Sequence, residues 1–170
     1  MSTPGEPGRL ARSCNGGVTM TDPKQILRSA KSVLLVDWPN PGVPRALLGA
    51  GLAVFTYSPD RYSRAEVVAD RPVDADARNV LAPRDENESG YLVFRRLEAR
   101  PEAVDVVNVY RPESEHAEIV AKHILPTGAK FLWLQPSVSS NSARALAEDH
   151  GLVLIEGIDI ADVARSLAVG

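Results

Sequence analysis

Unbroken aliphatic runs recur along the chain, separated by stretches whose apolar positions fall three or four residues apart. Residues 33–36 (VLLV) form the first run, the pattern of a strand covered on both faces. Before it, Thr21 and Asp22 can cap a helix over 23–31 that Pro23 begins. Pro44 can start a second, short helix that ends near Gly49 to Gly51, and residues 52–57 (LAVFTY) read as a second strand stopped by Ser58-Pro59. Residues 63–69 are compatible with a helical turn, 70–90 are charged and poor in apolar periodicity, and 91–94 fit a short edge strand. Residues 104–110 (VDVVNVY) are a stronger, central strand. A helix over 113–125 follows, with Ala117, Val120, Ala121 and Ile124 on one stripe. A strand at 131–134 places Phe131 and Trp133 in the core. Ser139 or Ser140 caps a helix to His150 that Gly151 ends, 152–155 is the last strand, and 159–167 the last helix.

Strands and helices alternating at this spacing predict a single-domain, three-layer α/β sandwich: a Rossmann-like, doubly wound parallel sheet with right-handed crossovers. Ligands of such sheets bind beyond the carboxyl ends of the strands, where strand order reverses. Four stretches are thereby marked as the candidate site: Asp37 to Pro44, Ser58 to Arg64, Tyr110 to Glu115, and Gln135 to Ser140.

Composition narrows the partners. Nineteen basic against twenty-two acidic residues give a net charge of -3, which supplies no broad attraction to phosphate backbones or anionic membranes. Nucleic acid is not expected, and no apolar run approaches the roughly 20 residues of a membrane-crossing helix. Cys14 is the single cysteine, so a disulfide framework and a cysteine-based metal knuckle are both excluded, and a cytoplasmic location fits. The first nineteen residues are rich in Gly, Pro and Ser and read as a disordered tail, with Met20 a candidate initiator. Residues 20–170 form the expected domain, with a charged surface insertion at about 70–90.

Two motifs carry a resemblance. VNVYRPESE resembles an aliphatic strand ending in Phe-Arg-x-x-Glu, and KFLWLQ resembles a Val-Trp-Met-Gln strand. Together they are similar to small stand-alone bacterial CoA-binding-domain proteins, related in fold to the CoA-binding domain of succinyl-CoA synthetase, over roughly Asp22 to Leu167. The resemblance implies coenzyme A as ligand, its diphosphate near the first strand–helix turn and its adenine near the end of strand two.

The departures fall on that implied site. Where the family has Gly followed by a loop with Ser, Asn, Pro and Arg, this strand runs into Asp37-Trp38-Pro39-Asn40-Pro41-Gly42, several residues shorter. Each proline removes a backbone N–H from a phosphate cradle. Asp37 adds a negative charge beside a diphosphate, a cost on the order of 1 kcal/mol or more. Thr-Tyr-Ser-Pro replaces Pro-Val-Asn-Pro at the end of strand two, and Pro136-Ser137 replaces Leu-Gly after Gln135. Ile158 falls where the family usually has Cys. No glycine fingerprint for a nicotinamide dinucleotide occurs at the first turn.

The candidate ligand-binding residues are therefore Asp37, Trp38, Pro39 and Asn40 in the first turn, Tyr57, Ser58, Pro59, Arg61 and Arg64 around the end of strand two, and Tyr110, Arg111 and Gln135 at the tips of the later strands. Arg61 and Arg64 can meet phosphates or pair with Asp60 or Glu66. Arg111 can enter the crevice or pair with Glu113 or Glu115. Trp38 can stack on an adenine or close an apolar lid. His116 and His123 lie about 10.5 Å apart along one helix, too far to share a zinc ion, and read as solvated. No serine sits in GxSxG, so no catalytic residue is assigned. The expected function is a non-catalytic CoA- or nucleotide-binding module with weakened binding. The alternatives are an interaction module that has lost the ligand, and an enzyme acting on a nucleotide-like or acyl substrate.

Overall fold

The computed structural model describes residues 22–58 and 60–169; the expected tail, Cys14, Met20, and Pro59 lie outside them. Asp22 accepts from the Lys24 amide and caps α1 (Pro23–Ser29), and β1 (Ser32–Val36) follows with all five residues buried. The remaining elements are α2 (Gly42–Gly49), β2 (Ala53–Tyr57), β3 (Tyr62–Val68), β4 (Val80–Leu81), β5 (Tyr91–Arg96), β6 (Val106–Val109), a composite helix α3 (113–127), β7 (Phe131–Leu134), α4 (Asn141–His150), β8 (Val153–Ile155) and α5 (Ile160–Val169). The last turns of α3 open into a π-helical stretch, Val120–Ile124, just before Pro126. The proline ring clashes with a carbonyl four residues back, which widens the ladder there.

The strands form one eight-stranded sheet in the order β4-β5-β3-β2-β1-β6-β7-β8. Strands β2, β1, β6, β7 and β8 are parallel, whereas β3, β5 and β4 extend the β2 edge in antiparallel fashion. The sheet is therefore a Rossmann-like parallel core with an antiparallel wing. Two expectations are corrected here. Residues 63–69 are strand, because buried Ser63 and Ala65 alternate with outward Arg64 and Glu66. The strand beginning at Tyr91 is interior, lying between β3 and β4.

One face of the sheet presents Val33, Leu35, Val54, Val106 and Trp133 to α1, α2 and α5. The other presents Leu34, Val36, Val107, Val109, Leu132 and Leu134 to α3 and α4. Burying each such side chain is worth roughly 1.5–3 kcal/mol, which is why the aliphatic runs are unbroken. Strand order reverses at β1, which pairs with β2 on one side and β6 on the other. The chain leaves β1 for α2 on one face and leaves β6 for α3 on the other, so the two exits diverge and open a crevice at this point.

Candidate functional site

Asp37 is the first residue beyond β1 and the one non-glycine residue with positive φ among those described, at 66°. Asp tolerates this conformation better than most residues because its carboxylate bonds locally, and here Oδ1 accepts from the Trp38 amide at 3.0 Å. Its other oxygen, Oδ2, accepts from Arg111 Nη1 at 3.0 Å. Arg111 also grips Glu115 with Nε and Nη2, at 2.9 and 2.7 Å. Such forked contacts are the strong form of an arginine–carboxylate pair, and they raise the arginine pKa further. The Arg111 side chain is 40% exposed, so the triad closes the mouth of the crevice while remaining accessible to solvent.

Behind the triad, on the α3 side, lies a cavity of about 260 Å³ lined by Val36, Asp37, Tyr57, Ser58, Arg111, Glu115, Glu118, Ile119, Lys122 and His123. Its aromatic wall is built by Tyr57, whose ring lies 4.3 Å from that of His123 and 4.7 Å from Tyr62. Tyr62 Oη and His123 Nδ1 are 2.6 Å apart. Burial, reinforced by the nearby Lys122 and Arg100 charges, lowers His123 to a pKa of about 4. The imidazole is therefore neutral near pH 7, and Nδ1 accepts the phenol proton. Burial also raises the Tyr62 phenol, so neither ring ionises in the ordinary range.

His116 is also buried, at 2% exposure, which corrects the expectation of a solvated residue for both histidines. Its Nε2 lies 2.8 Å from the Arg111 carbonyl and its Nδ1 2.9 Å from Ser140 Oγ. A carbonyl only accepts, so Nε2 carries the proton and Nδ1 takes the serine hydroxyl. Ser140 in turn accepts from the Ala143 amide and caps α4. His116 thus fixes the carbonyl of Arg111 from beneath, tying the crevice to the start of α4.

The first turn has little left to offer a phosphate. The Asp37 amide donates to the Tyr57 carbonyl, Trp38 to Asp37, Gly42 to Asn40 Oδ1 and Val43 to the Asn40 carbonyl. Pro39, Pro41 and Pro44 have no N–H. Trp38 neither lids the cavity nor faces it: its ring stacks on Phe94 at 5.5 Å and packs against the core on the α2 side. Pro39 and Asn40 are exposed.

The other expected residues are dispersed. Arg61 is 3.9 Å from Asp60 on the surface, and the Arg64 guanidinium lies over the Phe55 ring at 5.7 Å. Neither lines the cavity. The Tyr110 and Gln135 amides extend the ladder to the Val36 and Val109 carbonyls.

Asn108 is the residue that sequence reasoning missed, and it lies diagonally across from Gln135, which was among the candidates. Asn108 is 1% exposed and Gln135 2%, and the oxygen and nitrogen of both side chains have no hydrogen-bond partner among the described residues. The available signal was an asparagine between Val107 and Val109 in the middle of VDVVNVY, where the pattern expects an aliphatic residue.

The profile of the CoA binding domain matches residues 43–161. The chain belongs to the CoA-binding-domain family. The match opens at Val43, directly after the proline-rich turn. Among solved structures, the fold is similar to that of Prb, a protein redesigned for binding, with a TM-score of 0.58 at 18% identity over 86% of this chain and 89% of that one. It is also similar to the cell-free ID.343 protein from Thermus thermophilus (TM-score 0.54, 14% identity, 86% and 99% covered). A hypothetical protein from Pyrococcus horikoshii matches at 0.54 and 19% identity, with 91% and 94% covered. At these identities the likeness is one of fold. Tested against the family ligand, this CoA-binding domain splits in two: the spent amides and Asp37 do not fit a backbone-cradled diphosphate, whereas the buried, unpartnered carboxamides fit a ligand rich in amides.

Proposed function

We propose that this protein is a non-catalytic module that binds CoA or a related nucleotide, and binds it weakly. The observation that supports this reading is the position and lining of the cavity in a chain of the CoA-binding-domain family. It lies at the strand tips beside the order reversal, with an aromatic wall from Tyr57 and His123 and two cations, Arg111 and Lys122. An adenine ring can pack on the aromatic side while phosphates meet the cations. The weakness follows from the competing carboxylates. Asp37 and Glu115 already hold Arg111, and Glu118 holds Lys122 at 3.3 Å, so an incoming anion exchanges existing ion pairs for new ones. Calorimetric titration with CoA, acetyl-CoA, ATP and NAD tests the reading. Saturable CoA binding, reduced roughly tenfold or more by Arg111→Ala, is the expected result; no heat from any of the four would overturn it.

The same ion pairs favour a second reading. A crevice closed by Asp37, Arg111 and Glu115, with Trp38 packed away on Phe94, is also the geometry of a domain that has kept the fold and serves as a protein-interaction module. A protein that melts cooperatively and ignores all four ligands would support that one.

A further inference from the structure

The side of the sheet away from the cavity carries a polar row in an otherwise aliphatic core. Strand pairing places Ser63, Thr56, Leu35, Asn108 and Trp133 side by side across β3, β2, β1, β6 and β7, on the face that α2 and α5 cover. Three of these five are polar and all three are buried, at 8%, 2% and 1% exposure for Ser63, Thr56 and Asn108. Gln135 follows Trp133 by two residues, so strand alternation sets it on the same face, one step closer to the strand tips and diagonal to Asn108. Trp38, stacked on Phe94 of β5, packs on the same face but over the antiparallel wing, four strands away from β6.

A buried carboxamide left without partners loses the hydrogen bonds it made in water, and native proteins seldom leave four such atoms together. The protein itself has little to give them. The amides of Asp37, Trp38, Gly42 and Val43 in the turn after β1 are engaged with Tyr57, Asp37 and Asn40, and its prolines have none. A carboxamide offers two donors and an acceptor, the complement of a secondary amide, which offers one of each. We propose that Asn108 and Gln135 form an amide-reading subsite at the tips of β6 and β7 that takes the amide-bearing pantetheine arm of the ligand. This rests on the CoA reading of the crevice and adds to it a second contact, on the opposite face of β1 and β6 from the cavity.

Asn108→Leu and Gln135→Met keep the branching and the chain length, respectively, and remove the orphaned groups. Both variants are expected to melt at a higher temperature than the wild type without ligand, because buried unpaired polar atoms are gone. Both are expected to bind CoA roughly tenfold more weakly while binding ATP, which has no amide arm, unchanged. CoA affinity equal to wild type in both variants would overturn the subsite and leave the CoA reading standing. If the wild type gives no heat with CoA, that reading falls and pantetheine alone decides the subsite. A melting shift with pantetheine in the wild type, lost in Asn108→Leu, supports it; no shift in the wild type overturns it.

Discussion

Arg111 Nη1 and Asp37 Oδ2 stand 3.0 Å apart across the gap between the chain leaving β1 and the chain leaving β6. The point where a doubly wound sheet normally admits its ligand is strapped by one ion pair. Asp37→Asn removes a negative charge and frees one arm of Arg111 while Glu115 keeps it in place. At an effective dielectric typical of protein surfaces, that charge works against a bound phosphate by about 1 kcal/mol or more. Asp37→Asn is therefore expected to tighten CoA binding roughly five- to tenfold by calorimetry. Unchanged or weaker binding would show that Asp37 does not oppose the ligand.

His123 governs a separate, pH-dependent property. Its folded pKa is about 4, below the ordinary histidine value, so the unfolded chain takes up a proton that the folded chain refuses. Stability is then full above pH ~6.5 and falls as pH drops toward 4. The depressed carboxyls of Glu113 and Glu115 act in the same direction but only below their own ordinary range. Thermal melts between pH 7 and 4.5 are expected to show a loss on the order of 2 kcal/mol, discounted for relaxation of the site. His123→Gln, which can still accept from Tyr62 and does not titrate, is expected to flatten that limb; an unchanged slope would assign the loss to other groups.

The central sheet was legible because burial on both faces leaves unbroken runs: 33–36 and 131–134 lie within the observed strands, and 104–110 encloses β6. Strand β3 was not, since its buried residues are the small Ser63 and Ala65 and its partner β5 lies beyond a charged segment. The crevice followed from topology, and Asp37, Tyr57, Ser58 and Arg111 do line one cavity. His123 and Tyr62, 61 residues apart in sequence, meet only because α3 packs over the face of β2 and β3, a pairing that no local pattern encodes. The packing of Trp38 away from the cavity was not legible, because its aromatic partner, Phe94, stands on the antiparallel wing, which was itself unread.

Ser140 does two jobs with one oxygen, capping α4 at the Ala143 amide and holding Nδ1 of buried His116. Ser140→Ala loses the cap, about 1 kcal/mol, and leaves a buried imidazole nitrogen unpaired, a further 1–3 kcal/mol. By contrast Asp22→Ala removes an exposed cap on α1 and is expected to cost about 1 kcal/mol or less. Urea unfolding of the two variants would show the ordering, and equal midpoint shifts would deny Ser140 its second role.

Arg45 holds the 80–90 segment to α2. Its side chain is only 9% exposed, and Nη2 donates to the Leu81 carbonyl at 3.2 Å and the Gly90 carbonyl at 3.1 Å. Its Nε faces Glu88 Oε1 at 3.3 Å, and the same Glu88 is gripped by Arg84. Gly90 has φ of 80° and lies so close to β3 that an added Cβ would stand 2.8 Å from the Val68 carbonyl oxygen, so the segment ends on a position that only glycine fits. Arg45→Ala leaves two partly buried carbonyls without their donor and Glu88 with Arg84 alone, and is expected to cost roughly 1–3 kcal/mol. Hydrogen exchange should rise across residues 80–90 before it rises in β1 and β6. Exchange that rises uniformly across the sheet would mean that this segment and the parallel core unfold as one unit, with Arg45 contributing to both.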